Sequence, residues 1–68
     1  MARSNEQMTA ARAHSRMTDA AAAMWQHEQN PRTSTWEARR ERLAAAYAER
    51  LREWHDALDA LDALAARV

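Results

Sequence analysis

Apolar residues recur at helical spacing along almost the whole chain, and the character of the stripe changes at one point. In the C-terminal half, Trp36, Leu43, Tyr47, Leu51, Trp54, Leu58, Leu61, Ala65 and Val68 fall on one side of a helix at about 100° per residue. From Leu51 onward their spacing alternates between three and four, the rhythm of coiled-coil packing. The N-terminal half carries a smaller stripe of Ala10, Ala13, Met17, Ala20, Ala21, Met24 and Trp25. Alanine on such a face lets a neighbouring helix approach closely.

The stripe is interrupted at Asn30-Pro31-Arg32-Thr33-Ser34. Proline disfavours helical geometry in the residue before it and lacks an amide hydrogen, so a helix should end near Gln29. Ser4 and Gln7 form an S-x-x-Q capping signal, and Ser34 and Glu37 form an S-x-x-E signal. The pattern therefore predicts a first helix over about 5–29, a turn over 30–34 and a second helix over about 35–67. So short a connection makes the helices antiparallel. The expected fold is all-α: a single helical-hairpin domain.

The segment DALDALDAL, Asp56 to Leu64, repeats every three residues rather than every 3.6. Each triplet slips back by about 60°, so the leucines and the aspartates sweep separate arcs of roughly 120°. That arc is too wide for a two-stranded seam and suits a helix with two neighbours, as in a four-helix bundle. With the turn centred near Arg32, antiparallel partners sum to about 64, so Leu51 faces Ala13, Trp54 faces Ala10 and Leu58 faces Glu6. Leu61 then meets only the start of the first helix, while Leu64 and Val68 overhang it. The sequence thus predicts a homodimer, with Leu51, Trp54, Leu58, Leu61, Leu64 and Val68 at the contact.

Composition narrows this picture. The chain has 68 residues, too few to bury much core alone, and no Cys to supply a disulfide or a thiolate metal site. Glycine is absent, Pro31 is the only proline and 18 residues are alanine, so strands are not expected. The 47% hydrophobic content argues against disorder. Ten basic residues balance ten acidic ones, which removes the usual electrostatic drive toward nucleic acid or anionic membranes. All ten basic residues are Arg, a bias expected of GC-rich bacterial, plasmid or phage coding sequences. The first ten residues, MARSNEQMTA, have no apolar core; no signal peptide and a cytoplasmic protein are expected.

Candidate chemistry is sparse. His55 and Asp59 share a helix face and His27 adjoins Glu28, but the Glu-x-x-His spacing of a di-metal bundle is absent. Solvent-facing histidines, no metal, no cofactor and no small-molecule ligand are expected. No Cys nucleophile or Gly-rich phosphate loop is present, so no catalytic residues are assigned. The Arg-rich start of the second helix is more informative. Arg40 and Arg50 fall inside the apolar arc, where a charge must be paired, reach the rim or face a partner. Trp36, Arg39, Arg40, Leu43, Tyr47 and Arg50 together supply the residue types that dominate binding hot spots. They form the expected partner-binding face, although Trp25 and Trp36 could instead clamp the hairpin tip. The expected function is a non-catalytic interaction module that binds a host or regulatory protein and inhibits or redirects it. Nucleic-acid binding through the Arg-rich helix start, diluted by Glu37, Glu41, Glu49 and Glu53, is the weaker alternative. A structural role in a larger helical assembly is the third.

Overall fold

A computed structural model describes residues 4–67. It is a hairpin of two packed α-helices, α1 (Asn5–Glu28) and α2 (Trp36–Ala65), joined by residues 29–35. The molecule measures 54 × 20 × 12 Å, the outline of two helices laid side by side. No described helix is long and apolar enough to cross a membrane.

The start of α1 follows the capping signal. The Ser4 hydroxyl accepts from the Gln7 amide, and the Gln7 side chain accepts from the Ser4 amide, so two orphan donors are satisfied reciprocally. The start of α2 departs from the expected Ser34–Glu37 box. The N-cap is Thr35, with φ −99° and ψ 0°, and its side chain makes no capping bond. The loop satisfies the helix start through its own backbone. The Thr33 amide donates to the Pro31 carbonyl, and the Trp36 amide donates to the Thr33 carbonyl. Two consecutive turns therefore follow Pro31, and they delay α2 to Trp36.

The helices meet through small residues. Ala10, Ala13 and Ala57 are buried together, with Trp54 and Leu61 packed against them. No side chain in this cluster is fully shielded. The register differs from the expected sum of 64: His14 lies against Trp54, and Arg16 reaches Glu53 at 3.8 Å, for sums of 68 and 69. Part of the shift comes from the lean of helical side chains toward their own N-terminus. In an antiparallel pair the two leans are opposed, so contacting residues sum higher than facing backbones. Leu61 consequently packs against the Ala10, Ala13 and Ala57 cluster instead of meeting only the start of α1. Leu64 is half-buried, and Val68 lies outside the described residues.

Candidate functional site

The tip of the hairpin is built around two residues that read differently in the sequence. Trp36 retains 3% of its surface and His27 retains 5%. Their rings stack with centroids 4.9 Å apart and planes 20° apart. Trp36 Nε1–H donates to the His27 carbonyl at 3.2 Å, and His27 Nε2 lies 2.9 Å from the Trp36 carbonyl. A carbonyl only accepts, so Nε2 carries the hydrogen, and each side chain thus binds the other residue's backbone. The His27 carbonyl, one of the last in α1, also accepts from the Asn30 amide. Nδ1 of His27 is buried without a partner.

This lock corrects the expectation of a solvent-facing side chain for His27, whereas His14 and His55 are exposed. It also removes Trp36 from the set with surface to offer a partner, because its indole is consumed within the chain. Of the two tryptophans considered as clamps, only Trp36 acts as one; Trp25 is 67% exposed. The signal for His27 lay in the heptad rhythm of Glu6, Ala10, Ala13, Met17, Ala20 and Met24, which continues to position 27.

Charged side chains complete the tip. The Arg32 guanidinium lies over the Trp36 ring, 4.3 Å from its centroid. Arg40 Nε donates to Glu28 across the hairpin at 3.0 Å, with its guanidinium 6.0 Å from the same ring. Arg50 donates to both carboxylate oxygens of Glu53, at 2.9 and 3.1 Å. Both arginines placed inside the apolar arc are therefore paired at the rim, as their long stems permit.

The expected partner-binding residues divide between the two edges of the hairpin. Arg39 and Leu43 line an open cleft with Ala23, Gln26, His27 and Asn30. Farther along this edge, Thr9, Arg12, Ala13, Arg16 and Glu53 line a second open cleft of about 300 Å³. Arg40 belongs to the opposite edge, paired with Glu28 and on the same face of α2 as the half-buried Leu51 and Leu58 farther along. Tyr47 is half-buried near the middle. Among the described residues, no group of three or more His, Asp or Glu side chains is arranged to hold a metal ion.

No family model, curated protein or solved structure matches this chain.

Proposed function

We propose that this chain is a non-catalytic, cytoplasmic protein-interaction module, a homodimer of helical hairpins that binds a host or regulatory protein and inhibits or redirects it. The observation that carries this reading is the Arg39–Leu43 edge, which sits on the end of the hairpin fixed by the Trp36–His27 lock. A surface held rigid before binding loses less conformational freedom on association. Arg39 is exposed, while Leu43, Tyr47 and Arg50 are half-buried and offer partial surface. In this role Trp36 positions the edge from beneath and does not touch the partner.

The homodimer accounts for the thinness of the core. The chain exposes 5518 Å², whereas a compact folded protein of its 7.8 kDa mass exposes about 4,400 Å². The excess, about 1,100 Å² per chain, exceeds the roughly 800 Å² per partner of a standard stable interface. Its Cα radius of gyration, 15.8 Å, is likewise well above the roughly 11 Å of a compact chain this long.

Affinity capture with the wild-type chain and with an Arg39→Ala, Leu43→Ala double variant tests the partner face. The variant should lose the protein that wild type captures. Equal capture by both would overturn the assignment of this edge. Nucleic-acid binding retains one observation in its favour, the row of Arg12, Arg16, Arg39 and Arg50 along the same edge. Glu53 neutralises part of that row by contacting both Arg16 and Arg50. A salt titration separates the readings: a nucleic-acid complex weakens steeply as salt rises, and a desolvated protein contact weakens little.

A further inference from the structure

The two long edges of the hairpin carry different chemistry. On α1, Gln7, Ala11, His14, Thr18, Ala21 and Trp25 follow a 4-3-4-3-4 spacing and lie within about 80° of one another. All are exposed, and none is Asp, Glu or Arg. This row sits one residue out of phase with the row that packs on α2, so α1 presents two adjacent seams about 100° apart. A helix at the corner of a four-helix bundle needs two such seams, one for each neighbour.

Contacts across the hairpin show which part of α2 continues this edge. His14 touches Trp54 at 5.3 Å between ring centroids, and Glu28, three residues beyond Trp25, binds Arg40. Arg40, Ala44, Leu51 and Leu58 fall within about 40° of one another on α2. Ala44, Leu51 and Leu58 remain only half-buried by the hairpin's own packing. The charges on this edge are the internally neutralised Arg40–Glu28 pair near the tip and the exposed Asp62 near the open end, in line with Ala44. The other edge carries Arg12, Arg16, Arg39, Arg50 and Glu53.

We propose that the edge carrying Ala11, Ala21 and Trp25 on α1 with Leu51 and Leu58 on α2 is the surface on which a second copy of this chain packs, completing a four-helix bundle. This rests on the homodimer proposed above and assigns its contact. A second copy is the fitting occupant because the chain exposes about 1,100 Å² beyond what a compact protein of its mass does, enough for an obligate interface on each protomer. The alanines and Thr18 permit axes to approach to roughly 8 Å. Trp25, exposed in the isolated hairpin, becomes a buried anchor. A two-fold contact through this edge leaves both Arg-rich edges facing outward for another partner.

Two sets of variants test the proposal. Ala11→Glu and Ala21→Glu alter exposed positions and introduce a good helix former, so an isolated hairpin tolerates them. In the bundle they bury carboxylates, and the dimer mass expected of wild type in light scattering should be lost. Should these variants unfold, single-cysteine chains supply a second readout, since the protein has no cysteine of its own. Ala21→Cys should react with a thiol reagent about tenfold or more slowly than Ala45→Cys, which is exposed on the outer side of α2, and dilution should abolish the difference. A wild-type dimer that labels equally fast at both positions, or survives both glutamates, overturns this face and leaves the homodimer standing. A folded wild-type monomer at every concentration overturns the homodimer itself.

Discussion

The two ends of the hairpin are held by different means. At the tip, Trp36 and His27 exchange side-chain-to-backbone contacts and stack, so one pair of large rings fixes the helices where the chain turns. Toward the open end, the helices meet through Ala10, Ala13 and Ala57, and the large side chains around them, Trp54 and Leu61, are only partly covered. The tip is closed within one chain, with His27 Nδ1 its one buried polar atom left without a partner among the described residues. The open end has close approach but little buried volume, and its leucines stay half-buried against α1. In so small a chain, directional polar contacts can set geometry, while bulk stability depends on buried area, which the proposed second copy would supply.

Four substitutions would break or sharpen that contrast. Trp36→Ala removes the ring, the donor to the His27 carbonyl and the cover over the imidazole. A loss of about 3–5 kcal/mol is expected for deleting a buried tryptophan, enough to unfold the hairpin. Circular dichroism should record loss of most helix at any protein concentration; retained helicity would show that the open end suffices. Leu58→Ala acts on the other end. Half-burial in the hairpin makes its intrachain effect small, but the proposed dimer would bury two copies of it. A shift of about 1–3 kcal/mol in dimer stability corresponds to roughly fivefold to 150-fold in the dissociation constant, measurable by sedimentation.

Trp36→Phe divides the lock into its parts. It keeps most of the ring contact and removes the Nε1 donor, leaving the His27 carbonyl with the Asn30 amide. The expected cost is about 1 kcal/mol in chemical denaturation; a cost equal to that of Trp36→Ala would make the hydrogen bond, rather than stacking, the holding element. Glu28→Gln should matter least. It breaks the ion pair with Arg40, but both side chains are about half exposed, and such pairs contribute about 0–1 kcal/mol. A larger loss would mean that the pair is covered in the dimer.

Much of this architecture is legible in the sequence because the signals are local. Pro31, the Ser4–Gln7 box and the stripe from Leu51 each act within a few residues. What escaped depends on contacts made across the turn. Ser34 and Glu37 satisfy the spacing of a capping box, yet the turns after Pro31 leave the N-cap at Thr35. His27 looks like a surface histidine until Trp36 returns to it from nine residues away. The contact register exceeds that of facing backbones in part because contacts follow the lean of the side chains. The uncharged row from Gln7 to Trp25 was readable by spacing, but its alanines and polar residues gave it no apolar contrast.

Sedimentation equilibrium of the wild-type chain across a wide concentration range, with helicity followed in parallel, bears most directly on the claim that the open end is completed by a second copy. The expected result is a species of twice the 7.8 kDa chain mass, with helicity falling as dilution separates the protomers. A fully helical species of single-chain mass that keeps its helicity on dilution would contradict it.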